Sequence, residues 1–146
     1  MAFALSYPDT RYEPSPLVDL SARKERERLS PSAISAFFNI VARWKVHDED
    51  ARALLGGISN GPFYEMKKAS AGRVLDPDRL LRISHVVGIF KALNIIYSRK
   101  LADAWVQLPN SNRIFAGRTP LAFMTSGGVP AIQTVHRLLD ARRGGM

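Results

Sequence analysis

The segment DPDRLLRISHVVGIFKALNIIYS, residues 76–98, decides the fold because it predicts one long helix with almost no polar face. Asp76 followed by Pro77 is typical of a helix start, since proline is tolerated in the first turn. Large apolar side chains then follow at Leu80, Leu81, Ile83, Val86, Val87, Ile89, Phe90, Leu93, Ile95 and Ile96. A helix that is apolar on nearly every side belongs to a core or to an interface. We therefore expect a helix over 77–98 and a homodimer whose interface includes Val87, Phe90 and Leu93.

The residues before this helix predict a helix, a glycine turn and a further helix. Ser30-Pro31 predicts the start of a first helix that ends near Trp44, with apolar residues at helical spacing between them. Three carboxylates at 48–50 favour the start of a second helix, and Gly56-Gly57 ends it. Ser59 predicts the cap of a third. This outline is that of a helix-turn-helix, whose second helix enters the major groove of DNA.

The third helix presents the residues that would contact DNA. Its expected outer face carries Ser59, Asn60, Tyr64, Lys67 and Lys68, which can bind base edges and phosphates. Glu65 and Pro62 argue against this function, because one adds a negative charge and the other shortens the helix. The alternative is a helical hairpin that keeps the shape without binding DNA.

The residues after the long helix predict several short helices. A shorter helix containing Trp105 ends at Pro109-Asn110, and Thr119-Pro120 predicts the start of another. Gly127-Gly128 separates that helix from the last one, which ends in the arginines and glycines of 142–145. No stretch alternates apolar and polar residues over a convincing length, so the fold class is predicted to be all-α.

Composition restricts the function classes. The net charge of +8 favours an anionic partner such as nucleic acid, and residues 99–146 alone carry seven basic against two acidic side chains. The absence of cysteine excludes disulfides and thiolate chemistry and is typical of a reducing compartment. No segment approaches the roughly 20 apolar residues of a membrane span, so we expect a cytoplasmic protein that does not bind membranes. Three prolines within 1–28 predict a flexible N-terminal arm.

No catalytic or metal-binding set is evident. Asp76 and Asp78 flank a first-turn proline, where capping and the helix dipole explain them better than acid–base chemistry. His47, His85 and His136 are far apart in sequence and fit no metal-ligand spacing, so we interpret each as a packed or surface histidine. Nucleophile-elbow, phosphate-loop and dinucleotide motifs are absent. The chain is predicted to be neither an enzyme nor a cofactor-binding protein.

The order of these features resembles the Xre/MbcA/ParS antitoxin family over nearly all of 29–145, and ParS-type antitoxins most. The features that carry the resemblance are Trp44, Leu54-Leu55-Gly56 before Ser59, Asp78 to Ser84, Trp105 with Pro109-Asn110, Phe115 to Leu121, and Gly127-Gly128. The resemblance implies an N-terminal Xre-like helix-turn-helix over 29–75, which binds operator DNA, followed by a dimerisation and toxin-binding region over 76–146. The implied partner is a RES-domain toxin that degrades NAD or transfers ADP-ribose from it.

The resemblance also implies how such a toxin is inhibited. Family antitoxins cover the NAD-binding cleft of the toxin with their last helix and tail, which here correspond to 135–145. The expected toxin-binding residues are Arg113, Arg118, Val135, Leu138, Leu139, Asp140, Arg142, Arg143, Gly144 and Gly145. The structural alternative for Arg142 and Arg143 is that they complement the negative end of the last helix. The functional alternative for the chain is a stand-alone helix-turn-helix transcription regulator whose C-terminal helices only dimerise.

Overall fold

A computed structural model describes residues 18–144, and within that range the chain folds into helices without any strand. The helices are α1 (Arg23–Arg43), α2 (Asp48–Leu54), α3 (Asn60–Lys68), α4 (Pro77–Ile96), α5 (Arg99–Ala104) and α6 (Pro120–Arg143). Two 3₁₀ turns, Trp105–Gln107 and Arg113–Phe115, connect α5 to α6. The all-α prediction is confirmed. Every helix within 18–144 is either too short or too polar to span a lipid bilayer.

Helix α1 begins eight residues before the predicted start at Pro31, so that prediction is wrong. Pro31 lies inside the helix, and the preceding charge run contributes local ion pairs such as Arg28 to Glu25 at 2.9 Å. The hydroxyl of Ser30 donates to the carbonyl of Arg26 and accepts from the buried amide of Leu75, so Ser30 joins α1 to the start of α4 instead of capping a helix. The flexible arm was predicted to end at residue 28, and this boundary falls within α1. Residues 1–17 of the predicted arm lie outside the described residues.

Helix α4 is the centre of the fold, because α1 packs on one of its sides and α6 on another. Val86, Ile89 and Leu93 are completely buried between these helices. This double packing explains why apolar residues surround α4. A second copy of the chain is not required to account for them.

Helix α6 is interrupted by a kink at Gly128. The kink lies where Gly127-Gly128 was predicted to separate the last two helices. Gly128 has φ 68° and ψ −155°, a region that essentially only glycine adopts. Upstream, Thr119 caps α6 as predicted, because its hydroxyl accepts the amide hydrogen of Ala122 at 3.1 Å. The kink divides α6 into a first segment and a C-terminal segment, residues 129–143, which lies against α4.

Candidate functional site

Only some of the toxin-binding residues predicted in the C-terminal segment of α6 are exposed. Asp140, Arg142, Arg143 and Gly144 are exposed, and Leu138 is half-buried. Val135 and Leu139 are both 0% exposed and belong to the core, so in this structure they offer no surface to a partner. The helical period places them on the face that packs against α4. Gly145 lies outside the described residues.

The two C-terminal arginines are held at the end of α6 by neighbours within the chain. The guanidinium of Arg142 donates to the hydroxyl of Tyr97 at 3.2 Å, which ties the end of α6 to the end of α4. Arg143 lies 3.5 Å from the carboxylate of Asp140. Both contacts are exposed and therefore weak. The arginines are positioned by the fold but remain accessible to a partner.

The other two predicted arginines differ in how firmly they are fixed. Arg118 donates to Ser126 at 3.1 Å, and its guanidinium lies 5.6 Å from the centroid of the Phe123 ring, so it stabilises the start of α6. Arg113 is exposed on the turn Arg113–Phe115, which Asn112 caps by accepting the amide hydrogen of Ile114. Within 18–144, Arg113 has no ion pair and is free to bind an anion.

The sequence interpretation missed four exposed residues in the part of the chain that follows residue 94. Arg137 is exposed on the C-terminal segment of α6, and it forms no ion pair within the described range. Ile95, Leu101 and Leu108 are large apolar residues with 63%, 39% and 43% of their surface exposed. Their helical spacing resembles that of core residues, so only the fold reveals their exposure. Aliphatic side chains of this kind are suited to an interface with another protein.

Two of the three histidines are brought together, although they are 51 positions apart. The Nδ1 atoms of His85 and His136 lie 2.8 Å from each other, and Nε2 of His136 lies 3.3 Å from a carboxylate oxygen of Asp140. A Cβ atom at Gly88 would fall 2.2 Å from the His136 ring, so glycine makes room for the ring on α4. Within residues 18–144, no group of three or more potential ligands could hold a metal ion. The third histidine, His47, is exposed at the start of α2 and does not take part in this pair.

The face predicted to bind DNA is exposed, but an acidic residue partly neutralises it. All five predicted residues, Ser59, Asn60, Tyr64, Lys67 and Lys68, are exposed on or beside α3. The carboxylate of Asp48 on α2 accepts from Tyr64 at 2.8 Å and from Lys67 at 3.0 Å. These hydrogen bonds, that from Lys67 first, hold the pKa of Asp48 below its usual value. The side chain of Asn60 accepts a hydrogen bond from Arg52. Because Lys67 pairs with Asp48, Lys68 is the basic residue of α3 without an ion pair among the described residues.

The three residues predicted to form the dimer interface differ in how far they are buried. Leu93 is 0% exposed, so in this structure it offers no surface to a second copy. Phe90 packs its ring against Trp44 and beneath the guanidinium of Arg43. Val87 is half-buried and lines an apolar groove of about 730 Å³ between α1 and α4. Val87 and Phe90 are both partly buried, so each keeps some surface that a second copy could reach.

The paired carboxylates at the start of α4 have ordinary structural partners. Asp76 lies 3.0 Å from Arg79, and Asp78 lies 2.9 Å from Arg82. Asp76 occupies the N-cap position without a side-chain capping bond. Each carboxylate thus forms an ion pair along the helix and does not face the other as an acid–base pair.

Comparisons with known proteins match the C-terminal part of the chain to a described domain. Residues 92–145 match the family described as the antitoxin Xre/MbcA/ParS C-terminal toxin-binding domain. The chain is also 39% identical over 116 residues to a protein of Sinorhizobium fredii (strain NBRC 101917 / NGR234) described as uncharacterized protein y4oB. That similarity covers 79% of this chain and 87% of the relative. No solved structure matches significantly.

Proposed function

The chain belongs to the Xre/MbcA/ParS antitoxin family, and we propose that it neutralises a RES-domain toxin that consumes NAD, as the antitoxin of a type II toxin–antitoxin pair. The observation that carries this proposal is the match of the toxin-binding domain to 92–145. It coincides with the part of the fold where Arg113, Arg137 and Arg142 are exposed. The toxin either degrades NAD or transfers ADP-ribose from it to a target protein.

In the proposed mechanism, inhibition is steric. A cleft that binds a dinucleotide is a concave pocket, and a helix end that enters it excludes the substrate without any chemistry of its own. The end of α6 has suitable properties, because Arg142 and Arg143 are followed by Gly144 and Gly145, whose small size allows close approach. The antitoxin therefore needs no cofactor and acts as an inhibitor of NAD hydrolysis or ADP-ribosyl transfer.

The proposal is tested by searching the neighbouring reading frames for a RES-domain protein and co-expressing the chain with it. Size-exclusion chromatography should yield one complex, and an NAD-consumption assay on that complex should give the background rate. The antitoxin mixed with an unrelated NAD-consuming enzyme is the control. A RES protein that elutes alone and stays active in the presence of excess antitoxin contradicts the proposal.

Binding to operator DNA through α3, and hence autoregulation of the operon, is a second proposed activity. It is supported by the α2–turn–α3 arrangement and by the exposed basic end of α3. The runner-up function, a stand-alone transcription regulator, shares this activity but predicts no toxin partner. Complex formation with a RES-domain protein distinguishes the two functions.

The DNA proposal gives a prediction that depends on the position of Asp48. Lys68→Ala should weaken DNA binding and reduce its salt dependence by about one phosphate contact. Lys67→Ala should have a smaller effect, because Lys67 already pairs with Asp48. Asp48→Asn should strengthen binding, since it removes a negative charge from the face. Fluorescence anisotropy over a salt series measures all three, and equal salt slopes for every variant would place the DNA surface elsewhere.

A homodimer through the groove between α1 and α4 is also proposed. Val87→Lys should give a folded monomer, because the added charge would be buried against the second copy. Phe90→Lys is the matched comparison on the same helix, and it should unfold the protein because Phe90 packs against Trp44. Sedimentation velocity and circular dichroism measure the two outcomes. A Val87→Lys variant that dimerises with wild-type affinity contradicts the proposed interface.

A further inference from the structure

The contact between His85 and His136 joins α4 and α6, two helices that pack against each other in the core of the fold. His85 lies on α4 and His136 lies on the C-terminal segment of α6. Their Nδ1 atoms are 2.8 Å apart, a distance typical of a hydrogen bond in which one nitrogen donates and the other accepts. Both rings are partly exposed, so solvent protons can reach the pair.

Asp140 determines which nitrogen carries the shared hydrogen. Its carboxylate lies 3.3 Å from Nε2 of His136, where a hydrogen on Nε2 is attracted and a lone pair is repelled. A neutral His136 with hydrogen on Nε2 has a free acceptor at Nδ1. His85 must therefore donate from its own Nδ1. Its Nε2 is then an acceptor, and this atom is buried without a partner among the described residues.

Protonation of the two histidine rings disrupts this hydrogen-bond network. When both rings are imidazolium, both Nδ1 atoms carry hydrogen, the bond between them is lost, and two positive charges face each other. If only His136 is charged, His85 must accept at Nδ1 and move its hydrogen to the buried Nε2, where it finds no partner. Either route weakens the contact between α4 and α6.

The charged groups around the pair also oppose protonation of His85. Burial and the charges of His136 and Arg137 lower the pKa of His85 below its usual value. Other charged residues of α4 and α1 have partners of their own, since Arg82 pairs with Asp78 and Arg43 pairs with Asp103. Within 18–144, Asp140 is the one carboxylate in ion-pair or hydrogen-bond distance of either ring, and it contacts His136.

We propose that His85 and His136 form a pH-sensitive latch, which holds the C-terminal segment of α6 against α4 at neutral pH and loosens it in mild acid. A lowered pKa in the folded state means that the unfolded chain binds protons first. The stabilisation is therefore complete above the unfolded value of about 6.5 and is lost as pH falls below it. Because Arg137, Arg142 and Arg143 lie on this segment, toxin binding should weaken over the same range, an extension that rests on the proposed function.

The latch itself is tested on the free antitoxin, without any toxin. The melting temperature is measured from pH 7.5 to pH 5.0 in EDTA, for the wild type, His85→Gln and His136→Gln. The wild type should lose about 3–6 °C more than either variant. His47→Gln is the matched control, because it removes an exposed histidine outside the pair and should keep the wild-type pH dependence. Equal losses in all four proteins overturn the latch.

Two further measurements keep the test decisive. If both latch variants are unfolded at pH 7.5, NMR titration of the wild type replaces them, and a His85 ring that titrates independently of His136 overturns the proposal. The dissociation rate of the toxin complex is then measured at pH 7.5 and 5.5, with an expected acceleration of about tenfold in the wild type alone. Absence of any complex at pH 7.5 contradicts the proposed function, whereas a normal complex with equal rates at both pH values contradicts the coupling of the latch to the toxin.

Discussion

An antitoxin that lacks residues 142–146 should still fold and bind its toxin, but the bound toxin should regain NAD consumption. The deletion removes the exposed contact between Arg142 and Tyr97 and the pair between Arg143 and Asp140, together worth no more than about 1 kcal/mol of stability. Arg113, Arg137 and the exposed apolar residues remain to bind the toxin. A change from full inhibition to activity would then locate the blocking element in the tail.

The control for this deletion is Tyr97→Phe, which frees Arg142 without shortening the chain. It should leave inhibition unchanged, because the hydrogen bond is exposed and the tail is still present. Toxin activity is measured in purified complexes of equal stoichiometry. Full inhibition by the truncated antitoxin would refute the tail as the plug and transfer the blocking role to the preceding part of α6, where Arg137 is exposed.

The parts of the fold that could be predicted from sequence are those that local chemistry determines. Thr119-Pro120 predicts a helix start because the hydroxyl and the proline act within one turn, and both are found there. The apolar spacing over 77–98 predicts α4 for the same reason, and the helix ends two residues earlier, at Ile96. The helix start predicted at Pro31 was wrong, because a proline inside a helix has the same local sequence signature as one in the first turn.

The parts that could not be predicted depend on which side of a helix faces the core. Leu139 and Asp140 are adjacent in the last helix, yet one is completely buried and the other exposed. Apolar spacing identified α4 as central but could not show that Leu93 is completely buried within its own chain, because that depends on contacts between distant segments. The pairing of His85 with His136 has the same origin, since it requires α4 and α6 to pack with Gly88 between them.

Gly128→Ala should destabilise the antitoxin and also weaken inhibition, because the kink in α6 depends on this residue. An alanine at φ 68° and ψ −155° is strained by about 1–3 kcal/mol, so the variant should melt several degrees lower, and relief of the strain should straighten α6. Straightening would move the C-terminal segment, and with it Arg142, relative to the first segment that begins at Thr119. The melting temperature and the inhibition constant for the toxin should therefore both change.

Gly72→Ala separates loss of stability from loss of the kink. Gly72 also has a positive φ, of 76°, and a Cβ there would contact nothing within 4 Å, but it lies between α3 and α4 and outside α6. This variant should melt at a lower temperature and still inhibit the toxin fully at a temperature where it is folded. If Gly128→Ala also inhibits fully when folded, the direction that the kink gives to the C-terminal segment does not matter for inhibition, and Gly128 serves only the packing of α6 on α4.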